Sequence, residues 1–336
     1  MTNLAKEAGK VEKPLSRKDY QSDLEVRWCP GCGDYAILAQ FQKLLAAIGA
    51  RKEEHVVVSG IGCSSRFPYY IDTYGLHGIH GRAPAVATGL KAVNPDLTVW
   101  VVTGDGDGLS IGGNQLLHAL RRNVDIKILL FNNEVYGLTK GQHSPTSPVG
   151  QRSRSNPDGN TDRPVNPAAL ALTAGATMVG RAVDTDAAHL QAVLRAAADH
   201  RGAAFVEILQ NCPIFNDTPF EAMKSEEKRL YLEHGEPMAI GDRILSLDRT
   251  SLALDWGAAG DDREPLVHDR HNKALARLLA EMEDSSLPTP LGVLYAEERP
   301  VHHEVVEEQI GRPEGGGLAR LQERLASGST WRVEPT

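Results

Sequence analysis

Residues 55–59 (HVVVS), 98–103 (TVWVVT) and 126–131 (IKILLF) are short apolar runs rich in β-branched side chains. They do not alternate between apolar and polar positions, as a strand with one wet face does. Continuous runs belong to strands covered on both faces. Residues 177–183 and 203–209 read as two further strands, and 83–93, 112–122, 167–173 and 185–200 read as helices placed between strands. Strands alternating with helices predict an α/β fold, a mostly parallel sheet flanked by helices. Residues 150–166, rich in Arg, Ser, Asn, Pro and Asp, carry no periodicity and read as a long loop. Beyond Asp217 the pattern loosens: 226–234 is highly charged, and 268–283 is a second helical region. The resulting division is a flexible N-terminal arm (1–22), a main domain (23–235) and a C-terminal extension (236–336), with no internal repeat.

Composition narrows the function classes. The 336 residues carry 36 Lys and Arg against 44 Asp and Glu, a net charge of −8, and the one short basic cluster lies at 151–155. That is too little for the positive stripe that displaces counterions from nucleic acid, so nucleic acid is not an expected partner. No apolar run reaches the roughly 18–20 residues that span a bilayer, and residues 1–20 are polar; the expectation is a cytoplasmic protein with no membrane segment.

In that compartment thiols stay reduced, so disulfides explain the four cysteines poorly. Cys29 and Cys32 form a C-x-x-C pair in WCPGCG, where Pro and Gly bend the backbone so that two thiolates can face one centre. Cys63 (GIGCSS) and Cys212 (NCP) come singly from distant segments. Structural zinc sites usually join two tight pairs in a compact module. One pair plus two scattered thiols suits an iron–sulfur cluster inside a larger domain; a zinc knuckle or ordinary buried thiols are the alternatives.

Gly104-Asp105-Gly106-Asp107-Gly108 directly follows the strand at 98–103, and Asn132-Asn133 ends the next one. A dinucleotide turn would want a third glycine where Leu109 stands. A carboxylate in a phosphate-binding turn also repels bare pyrophosphate, so Asp105 makes sense when a divalent cation such as Mg²⁺ bridges the two. A crossover to the neighbouring parallel strand lets Asp105 and Asn133 converge on one ion.

Gly-Asp-Gly followed, after the 25 residues 107–131, by Asn-Asn resembles the thiamine diphosphate-binding fingerprint. With the cysteine motifs, His80-Gly81-Arg82-Ala83 and the run VYGLTKGQHSPT (135–146), the chain resembles the β subunits of 2-oxoacid:ferredoxin oxidoreductases, most of all those acting on 2-oxoglutarate. The likeness spans about 23–217, and more weakly 266–269. It implies a thiamine diphosphate-binding fold with one [4Fe–4S] cluster on Cys29, Cys32, Cys63 and Cys212. Mg²⁺ is implied on Asp105, Asn133 and the carbonyl of Val135, and thiamine diphosphate against Ile61, Gly62, Cys63, Ser64, His80, Gly106, Asp107, Gly137 and Leu138. The implied reaction is CoA-dependent oxidative decarboxylation of 2-oxoglutarate to succinyl-CoA and CO₂, or its reverse, with electrons passing singly to ferredoxin.

No Glu stands in a context suited to activating the cofactor's aminopyrimidine. The resemblance expects that group from an α subunit, in an α2β2 assembly without which this chain is inactive. Arg66 is the candidate for gripping a substrate carboxylate, with a salt bridge as the alternative. His80 is the candidate for hydrogen bonding and proton transfer. His77 lacks a third ligand for a metal site, and His302 and His303 read as solvated. Lys140 stands where many relatives have glycine, which bears on loop geometry alone. The rival readings are a pyruvate or other 2-oxoacid enzyme, a non-redox thiamine diphosphate enzyme subunit with structural zinc, and a non-catalytic zinc module.

Overall fold

The computed structural model describes residues 15–49, 51–248, 250–260, 263–282, 286–311 and 317–331. In chain order the elements are α1 (Asp34–Ile48), β1 (His55–Ser59), β2 (Tyr74–His77), α2 (Ala83–Val93), β3 (Thr98–Gly104), α3 (Gly113–Arg121), β4 (Lys127–Asn132), α4 (Pro167–Ala174), β5 (Met178–Val183), α5 (Ala187–Asp199) and β6 (Ala204–Leu209). They continue with β7 (Arg229–Leu232), β8 (Ala239–Ile240), β9 (Arg243–Leu247), β10 (Leu254–Ala258), α6 (Lys273–Ala280), β11 (Thr289–Ala296), α7 (His302–Ile310) and α8 (Gly317–Ala326).

Eight strands form one sheet in the order β2-β1-β3-β4-β6-β5-β11-β7, and every pairing in it is parallel except β11 with β5. The continuous apolar runs are explained by two cores, one on each face. Val56, Val58, Val101, Ile128 and Leu130 face α2, α3, α4 and α6 through Ala87, Leu116, Leu120, Leu172 and Leu279. The intervening Val57, Trp100, Val102, Leu129 and Phe131 face α1 and α5 through Phe41, Leu45, Leu190 and Leu194. Both alternate sets of a strand are apolar because both meet a layer of helices.

Several features depart from the hydrophobic reading. Helix α1 was not among the expected elements, although Ile37, Leu38, Phe41, Leu44 and Leu45 recur at helical spacing and are buried; the Gly- and Cys-rich lead obscures its start. The charged segment 226–234 contains strand β7, and the helical region at 268–283 reduces to α6, Glu283 lying outside the described residues. From beyond position 235, Met238, Leu245 and Trp256 pack into the first core, and β11 completes the principal sheet. Of the expected N-terminal arm, Tyr20 is fully buried and Gln21 bridges Ile71, while residues 1–14 lie outside the described residues. His302 and His303 open α7 and are partly buried rather than solvated.

At the amino ends of the strands, Lys127 Nζ and Lys91 Nζ lie 2.7 and 3.0 Å from the two oxygens of Asp125. Burial pushes this carboxyl's pKa up, but the charges and hydrogen bonds of Lys127 and Lys91 outweigh it and hold it at about 2. Because the folded pKa lies below the unfolded one, this contribution, on the order of 2 kcal/mol, is complete above about pH 4 and lost as pH falls toward 2. Asp125→Asn leaves two buried lysines uncompensated and should lower urea-measured stability at neutral pH by about 3–5 kcal/mol. Its deficit relative to the parent should shrink through the acid range in which the parent's Asp125 protonates.

Candidate active site

Parallel strands present all their carboxyl ends at one edge, where open α/β sheets bind ligands. The loops after β1, β2, β3 and β4 converge there on a cleft lined by Ile61, Gly62, Cys63, Ser64, His80, Asp105, Gly106, Asp107, Asn133, Val135, Gly137 and Leu138. Every residue expected to touch thiamine diphosphate or Mg²⁺ is thus brought to one place. Gly104, Tyr136 and Thr139, which fall inside the motifs but carry no expected contact of their own, also line the cleft, as does Phe131 at the end of β4.

Asp107 organises the cleft. Its Oδ1 accepts from Ile61 N (3.0 Å) and Gly81 N (2.7 Å), lies 2.5 Å from His80 Nδ1, and its Oδ2 accepts from the Thr103 hydroxyl at 2.6 Å. With Nδ1 engaged, His80 has Nε2 left for a ligand. After β3 the chain turns through a five-residue π-helical segment, Asp107–Ile111, before α3. Such turns are rare and recur at functional sites.

Asp105 is buried and accepts from Thr146 Oγ1 at 2.6 Å; burial drives its pKa up. Asn133 Oδ1 accepts from Val135 N at 3.3 Å, across Glu134, which holds the left-handed φ of 57°. Burial, then Asp105 and Glu207, push the Glu134 carboxyl up to about 7. The buried Asp105 and the half-buried Glu134 thus share this end of β3 and β4 with no cationic side chain as a hydrogen-bond or ion-pair partner among the described residues, an environment matched to a divalent cation.

Tyr136 crosses over the turn: its hydroxyl donates to Gly106 O at 3.0 Å, and a Cβ at position 106 would lie 2.2 Å from its ring. The loop closes through Gly141 N on Tyr136 O at 2.9 Å, and Lys140 inside it has φ 78°. That backbone conformation favours glycine.

Beside the cleft lies a second cavity of about 250 Å³, walled by Cys29, Cys32, Cys63, Cys212, Trp28, Arg27, Arg66, Asn133, Gly137, Leu138, Lys140, Pro213 and Phe215. All four cysteines are free thiols. The C-x-x-C turn is tied by Cys32 N on Cys29 O (3.1 Å), and the Trp28 indole donates to Cys63 O at 2.7 Å. A Cβ on Gly137 would stand 3.5 Å from the sulfurs of both Cys63 and Cys212. Burial, then Asp34, push the Cys63 thiol up to about 12, and the same causes raise Cys32. Among the described residues no three His, Cys, Asp or Glu side chains form a site for a single metal ion.

Arg66 lines the thiol cavity rather than the glycine-rich cleft, and its Nη1 donates to Arg27 O at 3.1 Å. His77 is taken by Tyr69, its Nδ1 3.0 Å from the hydroxyl.

Comparison with known proteins gives the family. Residues 60–208 match the thiamine pyrophosphate enzyme, C-terminal TPP-binding domain. The chain is 50% identical to the 2-oxoglutarate oxidoreductase subunit KorB of Mycobacterium tuberculosis, over 99% of this chain and 93% of that one. It is 38% identical to the 2-oxoacid:ferredoxin oxidoreductase subunit beta of Saccharolobus solfataricus, over 78% and 88%. The chain belongs to the β subunits of the 2-oxoacid:ferredoxin oxidoreductases. Among solved structures, the 2-oxoglutarate:ferredoxin oxidoreductase of Magnetococcus marinus, with 2-oxoglutarate, coenzyme A and succinyl-CoA bound, superposes with a TM-score of 0.76 at 33% identity, covering 93% of this chain and 96% of that one. In this β subunit the cleft lies within the TPP-binding segment, and among the described residues no helix is long and apolar enough to cross a membrane.

Gly106→Ala has no backbone obstacle, since Gly106 is right-handed helical; the collision with Tyr136 is what it introduces. Overpacking of about 1–3 kcal/mol should weaken thiamine diphosphate binding about tenfold or more in calorimetric titration of the assembled enzyme.

Proposed function

We propose that this chain is the β subunit of a 2-oxoglutarate:ferredoxin oxidoreductase, acting with an α subunit in an α2β2 assembly on thiamine diphosphate, Mg²⁺ and one [4Fe–4S] cluster. The observation that carries this reading is a shared wall: Cys63, Asn133, Gly137 and Leu138 border both the cleft and the thiol cavity. A two-electron oxidation on one side of that wall has to be relayed as single electrons, and a low-potential cluster on the other side is suited to that.

The donor sets fit these groups. Asp105, Asn133 Oδ1 and the Val135 carbonyl are hard oxygens of the kind that hold Mg²⁺ together with phosphates, and the elevated Asp105 marks a carboxylate awaiting a counter-charge. Four thiols around a cavity suit a cluster; zinc, with Zn–S bonds of about 2.3 Å, would draw them onto one point. Thiamine diphosphate, when bound, supplies the carbanion-stabilising chemistry that lets a 2-oxoacid lose CO₂.

The chain's own residues bind and orient. Asp107 fixes the Ile61 and Gly81 segments against the turn and holds His80 with Nε2 available for proton transfer. Arg66 lines the thiol cavity, across the shared wall from the cleft, with Nη1 on Arg27 O; to grip the second carboxylate that distinguishes 2-oxoglutarate from pyruvate, its guanidinium would swing past Leu138 toward the cleft. Among the described residues no Glu lines the cleft, so the group that activates the aminopyrimidine comes from the α subunit. In the balanced reaction, 2-oxoglutarate and CoA yield succinyl-CoA, CO₂, a proton and two electrons, which ferredoxin takes one at a time. The 2-oxoglutarate assignment is supported by the name of the 50%-identical KorB relative.

The test is anaerobic, CoA-dependent reduction of an electron-accepting dye by the complex purified with its α subunit, offered 2-oxoglutarate and pyruvate in parallel. Strong preference for 2-oxoglutarate is expected; preference for pyruvate overturns the substrate, and no reduction of dye by a cluster-replete complex overturns the reaction. In the same complex Cys212→Ser should lose most of its iron and its brown colour while still binding thiamine diphosphate, as iron analysis and titration would show.

A further inference from the structure

Between the two cavities a single buried amide touches a residue of each. Gln210 follows β6 directly and is 1% exposed. Its backbone N–H is held by Asn132 O at 2.9 Å, continuing the β4–β6 register that ends at Asn132 and Leu209. Its side-chain Oε1 accepts from Asn133 Nδ2 at 2.9 Å. Its Nε2 donates to Cys32 Sγ at 3.3 Å and to Asn211 O at 2.8 Å. The stem has no slack, since a Cβ on Gly33 would lie 2.7 Å from Gln210 Cγ.

Each end of this amide solves a chemical problem at a different site. Asn133 can present either its oxygen or its NH₂ to the cleft, and only the oxygen can bind a cation. An acceptor fixed beside Nδ2 decides the matter. A thiolate that ligates a cluster is in turn tuned by the N–H groups aimed at it, each withdrawing charge from sulfur and favouring the reduced cluster.

We propose that Gln210 is a positioning residue for both cofactors, holding the Asn133 oxygen toward Mg²⁺ through one end of its amide and setting the cluster's reduction potential through the other. This rests on the cofactor reading above. The two bonds form one chain, Asn133 to Gln210 to Cys32, and bonds in series polarise one another.

The experiment compares the α–β complex, purified anaerobically, as the parent, Gln210→Leu and Gln210→Glu. Two quantities are read: the cluster's midpoint potential by EPR-monitored redox titration, and the Mg²⁺ concentration that half-saturates thiamine diphosphate binding. Gln210→Leu loses both ends. Its midpoint should move negative by about 59 mV, a tenfold change for one electron, and its Mg²⁺ requirement should rise about tenfold, the loss of one buried hydrogen bond. Gln210→Glu keeps an acceptor for Asn133 but replaces the N–H on Cys32 with a carboxylate. Its midpoint should fall at least as far while its Mg²⁺ requirement stays at the parent value.

That separation is what a residue that merely packs would not produce. Unchanged midpoints in both variants, or equal losses of Mg²⁺ affinity in both, overturn the proposal. Absence of a cluster signal or of Mg²⁺-dependent binding in the parent overturns instead the cofactor reading. Iron content is measured alongside, and a variant that loses its cluster is replaced by Gln210→Met, which keeps the volume without either polar end.

Discussion

The carboxylate of Asp107 receives donors from three segments far apart in sequence: Ile61 after β1, His80 and Gly81 ahead of α2, and Thr103 inside β3. A buried carboxylate stripped of water needs this many partners, and each partner it takes fixes a loop. The cleft floor is therefore rigid before any ligand arrives. Asp105, two residues earlier, is met by the side chains of Thr146 and Ser144, and with no cationic side chain against it among the described residues it keeps capacity to accept a cation. Two acids in one turn thus divide their labour, one satisfied by protein and one kept for ligand.

The thiol cavity depends on a different economy, that of absent side chains. Gly137 leaves the space between Cys63 and Cys212 open, and Gly106 leaves room for the Tyr136 ring. Trp28, hydrogen-bonded to Cys63 O and set edge-on to Tyr70 at 4.8 Å, anchors the segment that carries the C-x-x-C pair to the second core. The reactive edge is assembled on the two packed faces of the sheet, so its geometry inherits their stiffness.

Much of this was legible in the sequence because the relevant signals are local. Strands buried on both faces announce themselves as unbroken apolar runs, and Gly-Asp-Gly or C-x-x-C mark turns whose chemistry follows from residue type. What escaped was set by long-range context. β11 carries a proline and a glycine that local propensity counts against a strand, and only the exposed pairing groups of β5 and β7 make it one. β7 hides in a charged stretch because only Leu230 and Leu232 turn inward. Gln210 has no motif of its own; its meaning comes from lying 77 residues from Asn133 and 178 from Cys32. Arg66 lies on the thiol side of the wall and not in the cleft, a distinction that spacing does not encode.

The position of β11 has a consequence for synthesis on the ribosome. It covers β5, whose six residues are all buried, yet it lies more than a hundred residues further along the chain. Until residues 289–296 emerge, β5 presents the bare edge of a parallel sheet, the kind of surface that recruits foreign strands. The nascent β subunit therefore passes through a long interval in which its cofactor edge can form while its opposite flank is open. Contacts of such separation slow folding and lengthen exposure to aggregation.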